Sequence, residues 1–528
     1  MDRQNTINLI PINMRSILFL LLGAIGVSCS PLAQPVPQRK EITERFFADA
    51  DTIKNVTPAL QKDRGFTNYE ELTGFLSNLE SKKPDWIDVS YIGESQKGYK
   101  VPMITISNKS AQGEKIKVWM QAGLHGNEPA STEGLLYLLH ELVNNPEYTY
   151  LLDKLDIRAV PMANIDGYLK QSRYAKNGLD LNRDQTKLMA PESVFLKQEF
   201  SNYDAQVALD FHEYNPFRRD FAKMSSFGII GLYDIMFLTS GNLNVPQNLR
   251  TLTDSLFVGN TMKVLDQNGL THHQYISTTD YKGAIHFNQG SNNSRSSATS
   301  YALTNAVSSL IEVRGVKLNK TSFKRRITTT FLVGLSYLET AYNNDELVRK
   351  TIQQAQKGQE SISVTSSKTV YEGTIEAIDV DTREIIKMEV TLRDAIKMNP
   401  ELTRKRPEAY LINKNQKKIV EKLKVLGVEL EQLSEEKNYS VESFQVTNYD
   451  RANAKYEKMN LQDVRTKLEK KSITFPRGTY IIYTDQKNAP IITEVLEPEA
   501  PNSFVSFGVL ETDLNRELPI YRLPKTIP

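Results

Sequence analysis

Along roughly the first two thirds of the chain, apolar residues fall into two kinds of pattern that take turns. Runs of strand length occupy residues 87–92, 101–106, 156–162, 206–211 and 309–314, and an alternating run places Ile116, Val118 and Met120 on one face. Between them, residues 70–79, 131–143 and 301–307 carry apolar positions at helical spacing; the second holds Leu135, Leu136, Leu138, Leu139 and Leu142. Strands alternating with helices, with polar groups at strand ends, predict an α/β fold: a mixed, mainly parallel sheet flanked by helices. Past Asn344 the pattern changes. Residues 346–369 read as a linker or surface excursion, polar and rich in Ser and Gln. Residues 370–528 read as a smaller α+β domain of unknown role, with strands near 440–446 and 479–483 and a charged helical segment at 417–436. The intervening 46–345 is the main domain.

The N-terminus has a pattern of its own. Arg15 precedes an apolar stretch from Ile17 to Val27, too short to span a bilayer and of the kind that heads exported proteins. Residues 1–29 are therefore expected to be an export signal, and 30–45, Pro-rich and polar, a tether. Cys29 is the single cysteine, so internal disulfides and thiolate metal sites are excluded. It stands where a lipoprotein would carry its lipid, which gives two readings: a lipid anchor at the cell envelope, or a secreted chain. With 65 basic and 63 acidic residues the protein is close to neutral, and nothing in its charge points to nucleic acid.

Candidate chemistry gathers after the strand around Val118. The stretch VWMQAGLHGNE ends in His125 and Glu128, an imidazole and a carboxylate of the types that Zn²⁺ takes in hydrolytic sites. Six histidines limit the search for a third ligand. His140 falls within a helix, His272 and His273 in a polar loop, and His286 between apolar neighbours, whereas His212 closes a strand and is followed by Glu213 and Tyr214. His125, Glu128 and His212 form a two-imidazole, one-carboxylate set that leaves a divalent ion with net positive charge, suited to Lewis-acid hydrolysis.

The order of these motifs resembles the zinc carboxypeptidase family: His125-Gly126-Asn127-Glu128, then Asn164-Ile165-Asp166-Gly167-Tyr168, Asp180-Leu181-Asn182-Arg183, His212 after a strand, and Glu312-Val313-Arg314 after the last strand. The resemblance spans roughly residues 46–340. It implies one zinc ion per chain held by His125, Glu128 and His212, and Glu312 as the general base. It further implies Arg173 as the arginine that stabilises the oxyanion, and Asn182 with Arg183 as the pair that holds a substrate's terminal carboxylate. Asp180 would orient His125.

The family also carries a tyrosine on a mobile loop about two dozen residues before its base. Here that neighbourhood, Gln289 to Arg295, has none, and Tyr281 is the nearest on its N-terminal side. Arg295 falls near the positions that line the family's side-chain pocket and suggests selection of acidic C-terminal residues. The function implied is removal of C-terminal residues from peptides. The alternatives are a peptidoglycan stem-peptide amidase or endopeptidase on the same metal site, and a non-catalytic binding protein on a peptidase scaffold. No Gly-x-Ser-x-Gly elbow or His-Glu-x-x-His helix is present. Oligomeric state is not legible at this level.

Overall fold

The computed structural model describes residues 38–50, 53–226 and 228–525. The expected export signal, with Cys29, and the first part of the tether lie outside the described residues. The main domain lays down β1 (Ile87–Glu94), β2 (Lys100–Ile106), β3 (Ile116–Ala122), β4 (Leu155–Val160) and β5 (Val207–Tyr214). It continues with β6 (Ile229–Gly231), β7 (Ile235–Leu238), β8 (His272–Gln274), β9 (Ile276–Tyr281), β10 (Ala284–Gln289) and β11 (Val307–Arg314). Eight of these form one sheet in the order β1-β2-β4-β3-β5-β11-β7-β8. Its centre, β4-β3-β5-β11, is parallel, while β1–β2, β2–β4 and β11–β7 pair antiparallel.

A parallel centre needs cover on both faces, and its strands accordingly read as nearly continuous apolar runs. Every residue of β5 is buried, and β3 buries all but Lys117. The helices that supply the cover include α1 (Pro129–Asn144), α2 (Pro191–Tyr203), α3 (Ser297–Ala302) and α4 (Phe323–Asn343). Trp119 of β3 meets Phe200 of α2 edge-on, and Phe200 stacks at 4.0 Å on Tyr301 of α3. Aromatic pairs of this kind add to the area they bury. Among the described residues no helix is long and apolar enough to cross a membrane.

The remainder departs from the expected boundaries. Residues 346–369 are no linker: α5 (Asp345–Gln356) buries Val348, Thr351, Ile352 and Ala355 at helical spacing, and Gly358 then turns the chain into a strand. Nor does a separate domain begin at 370. The long pair β12 (Ser361–Asp379) and β13 (Ile385–Lys405) joins β6, β9 and β10 in a second sheet, β6-β12-β13-β10-β9, built on the main domain. The tether segment also includes a helix, Lys40–Phe46, whose Ile42 packs with Phe47 into a cluster holding Phe217 and Ile378.

The C-terminal sheet has the order β15-β18-β14-β19-β16-β17. Its strands are β14 (Ala409–Ile412), β15 (Glu431–Gln432), β16 (Lys437–Tyr456), β17 (Met459–Phe475), β18 (Tyr480–Tyr483) and β19 (Glu517–Leu523), accompanied by α6 (Lys417–Val425) and α7 (Ala489–Leu496). The charged helix expected over 417–436 stops at Val425 because Gly427, at φ +73°, leaves the helical region.

Buried ion pairs tie the two C-terminal sheets together. Arg404 of β13 lies 2.6 Å from Glu497 and 2.8 Å from Glu499, and Glu497 also accepts from Tyr410 Oη at 2.6 Å. Truncating one partner of such a pair strands the other charges away from water. Arg404→Ala is therefore expected to lower stability by about 3 kcal/mol, read as a fall in the urea midpoint; an unchanged midpoint would show that the pairs are dispensable.

Candidate functional site

Three chemistry-bearing side chains sit at the carboxyl ends of adjacent parallel strands. β3 closes at Ala122, and Gly123, at φ +64°, turns the chain toward His125. Gly126 lets that turn lie flat against a neighbouring loop, since a Cβ there would stand 2.1 Å from the Gly167 carbonyl carbon. Glu128 then stands at the threshold of α1, whose first residue is Pro129. His212 and Glu312 are register partners on β5 and β11.

His125, Glu128 and His212 offer ligand atoms that all lie within 4.8 Å of one another, each residue buried. Both imidazoles present Nδ1 inward. His125 Nδ1 lies 2.8 Å from Glu128 Oε1, His212 Nδ1 lies 2.9 Å from Glu128 Oε2, and the two Nδ1 atoms are 3.0 Å apart. Each Nε2 faces a carboxylate instead: Asp180 at 3.0 Å for His125 and Asp210 at 2.8 Å for His212. When the Nε2–H groups donate outward, both inward Nδ1 atoms are bare lone pairs. Two lone pairs and a carboxylate converging on one point repel one another unless a cation sits among them. The donor set therefore fits a divalent metal, and its ligand types suit zinc.

A wider ring holds these ligands in place. Glu128 Oε2 accepts from the Glu213 amide at 3.1 Å. The buried Glu213 carboxylate takes the Ala130 amide at the start of α1 and pairs with Arg326. Arg173 donates from Nε to Asp180 at 3.0 Å and brings Nη1 to 3.6 Å from Glu128. Asp180 also caps the amide of Asn182 at 2.8 Å. Asn182 Oδ1 accepts from the Ser297 amide at 2.9 Å, and the Ser297 hydroxyl donates to Asp210, so one connected network reaches both histidines. Burial pushes the Glu128 and Asp180 carboxyls up, but the positive charge of protonated imidazoles beside them, and of Arg173 at Asp180, outweighs it and holds both well below the usual range; a metal ion in place of those protons would act in the same sense.

Glu312 has no such partners. Burial, reinforced by the negative charge of Glu128, raises its carboxyl to about 7. It is not an edge carboxylate paired with Arg314, because β11 is flanked by β5 and β7 and Arg314 donates to Gly231 O at 3.0 Å under the Phe47 ring. Glu312 faces a cavity of ≈ 610 Å³ that it lines together with His125, Arg173, Asn182, Arg183 and Tyr275.

Two expected residues lie elsewhere. Tyr281, at the tip of the β9–β10 hairpin, is 41 % exposed with the Arg393 guanidinium 4.4 Å above its ring, and it does not line this cavity. Arg295 turns away to a second cavity, where Nε donates to Asn502 Oδ1 at 2.7 Å and the guanidinium lies between Tyr456 and Phe507. Arg295 therefore does not line the cavity that Glu312 faces. The residues that sequence reasoning missed are Asp210, Glu213 and Tyr275. Asp210 was detectable in principle, since in a strand it shares a face with His212 two positions on. Tyr275 was hidden because the whole β9–β10 hairpin separates it from β11.

A cluster that could hold a metal ion at the carboxyl ends of a parallel sheet, beside a carboxylate raised by burial, fits a metallohydrolase. The comparisons specify which. A family model described as zinc carboxypeptidase matches residues 72–241. Carboxypeptidase 2 of Trichophyton rubrum is 30 % identical over 471 residues, covering 87 % of each chain, and Carboxypeptidase 2 of Trichophyton equinum matches over the same extent at the same identity. Among solved structures, carboxypeptidase A from Helicoverpa armigera aligns at 19 % identity and a TM-score of 0.42, over 55 % of this chain and 80 % of that one. The chain belongs to the zinc carboxypeptidase family: it is a metallocarboxypeptidase hydrolase whose cofactor is one zinc ion. Asp210→Ala is expected to weaken zinc affinity ~10–100-fold in competition with a chelator; wild-type affinity would remove Asp210 from the support of His212.

Proposed function

We propose that this protein removes single residues from the C-termini of peptides, with His125, Glu128 and His212 holding the zinc and Glu312 as general base. The observation that carries the reading is the position of Glu312: half-buried, without a salt-bridge partner among the described residues, and opening onto the cavity that His125 also lines. Zinc bound there supplies a Lewis acid that polarises the scissile carbonyl and makes water more acidic.

The chain's own groups account for the other requirements. Glu312 takes a proton from the attacking water and delivers it to the leaving amine, and a carboxyl raised toward neutrality is matched to both tasks. Arg173, fixed by Asp180, offers its remaining N–H groups to the developing oxyanion. Asn182 and Arg183, at the cavity wall, receive the terminal carboxylate, and this limits cleavage to chain ends. Tyr275 takes the place that Tyr281 cannot. Its hydroxyl has no hydrogen-bond partner among the described residues, burial raises it to about 12 so that it stays protonated, and Glu312, Arg173 and Arg183 are among the charges it feels. It is a donor carried immediately after β8 rather than on a closing loop. The apolar segment after Arg15 directs the protein out of the cytoplasm, with Cys29 available for a lipid anchor.

Purified protein incubated with a peptide mixture and analysed by mass should release single C-terminal residues, and the release should stop with a chelator. Glu312→Gln should lose at least ~100-fold in kcat while keeping its zinc and its fold. Internal cuts, or turnover that survives either treatment, would sink the reading. The pH profile offers a separate check. Glu312 works as the carboxylate, so kcat/KM should fall as pH drops through its pKa. The bound cation offsets the repulsion from Glu128, so that acid limb should lie below 7. A profile with no acid limb would exclude Glu312 as the base.

A further inference from the structure

The turn between β16 and β17 stands out for its backbone. Tyr456 pairs with Met459 across the hairpin, which leaves Glu457 at φ +47° and Lys458 at φ +64° as a two-residue connection. Turns with both central residues left-handed favour Asn-Gly or Asp-Gly, since a longer side chain there costs conformational energy. Strain kept at a turn tip is a pointer to a task performed by its side chains.

Both side chains reach from the C-terminal sheet to the loop that carries the site's polar residues. Glu457 Oε2 accepts the backbone N–H of Asp180 at 3.1 Å, and Lys458 Nζ donates to the carbonyl of Asn177. The neighbouring Tyr456 ring supports the Arg295 guanidinium at 5.0 Å. Arg295 lies two residues before Ser297, which bonds Asn182. The hairpin tip thus bridges the loop of Arg173, Asp180, Asn182 and Arg183 and the segment leading into α3. These two segments meet at Asn182.

We propose that Glu457 is a positioning residue for the zinc site, acting through the amide of Asp180. Fixing that amide sets the backbone at Asp180, whose carboxylate holds His125 Nε2 and Arg173 and starts the turn that presents Asn182 and Arg183. Glu457 touches neither substrate nor metal. Its effect on zinc affinity stands on the family's cofactor and the geometry. Its effect on turnover rests on the C-terminal trimming proposed above.

The test compares Glu457→Ala and Glu457→Gln in the full chain, reading zinc affinity by chelator competition, kcat and KM on a peptide substrate, and the melting temperature. Glu457→Ala should weaken zinc affinity and lower kcat/KM roughly tenfold each, with part of the loss in KM through Asn182 and Arg183, at an unchanged melting temperature. Glu457→Gln, which keeps an oxygen acceptor, should restore most of both. Wild-type zinc affinity and kinetics in Glu457→Ala would overturn the proposal. So would a loss that follows a fall in melting temperature and is not recovered by Gln. Zinc affinity is read without turnover, so failure of the positioning role and failure of the proposed reaction remain distinguishable.

Discussion

The constraint on which the rest of this structure depends is the mutual repulsion of two imidazole lone pairs. His125 and His212 bring Nδ1 atoms to 3.0 Å of each other with the Glu128 carboxylate alongside, an arrangement that a shared cation makes favourable. Holding them there requires that each ring be fixed from behind, and the fold does this with Asp180 and Asp210. Those carboxylates come from different elements, one from a loop and one from the interior strand β5. They communicate through Ser297 and Asn182. The network explains why α3, which touches neither histidine, is nevertheless part of the site.

Much of this was legible along the chain, for a physical reason. In a parallel sheet the strands must be apolar on both faces, so a His-x-x-Glu turn, a terminal histidine and a terminal glutamate stand out as polar interruptions at strand ends. His125, Glu128 and His212 were visible in this way, and Glu312 through the order of motifs that resembles the family. Groups whose roles depend on chain separation were not. Tyr275 enters the cavity because β9 and β10 fold out as a hairpin between it and β11, and Arg295 leaves the cavity because Asn502, Tyr456 and Phe507 of the C-terminal region capture it. No local spacing encodes either event.

Domain boundaries failed for a related reason. The polar composition of residues 353–369 conceals that Val348 to Ala355 completes an amphipathic helix begun at Asp345, and that β12 begins at Ser361. Long hairpins with alternating exposed faces read as solvated chain until their partners are known. The β12–β13 pair finds its partners in β6 and β10 of the main domain, and its Lys368, Ile375, Glu376 and Ala377 line the catalytic cavity. Polar sequence here encodes a wall of the cleft and not a spacer.

The charge balance makes a final point about why the base is where it is. Five carboxylates, Glu128, Asp180, Asp210, Glu213 and Glu312, gather at the ligand cluster, with Arg173 and Arg326 paired among them. Every one of these carboxylates except Glu312 is committed to a histidine, an arginine or a backbone amide, so the negative charge of Glu128 acts on a Glu312 carboxyl that has no partner of its own. A half-buried carboxylate in that position holds a proton more readily than its neighbours. The crowding of carboxylates that favours a bound cation is therefore the same feature that raises Glu312, the proposed base, toward neutral pH.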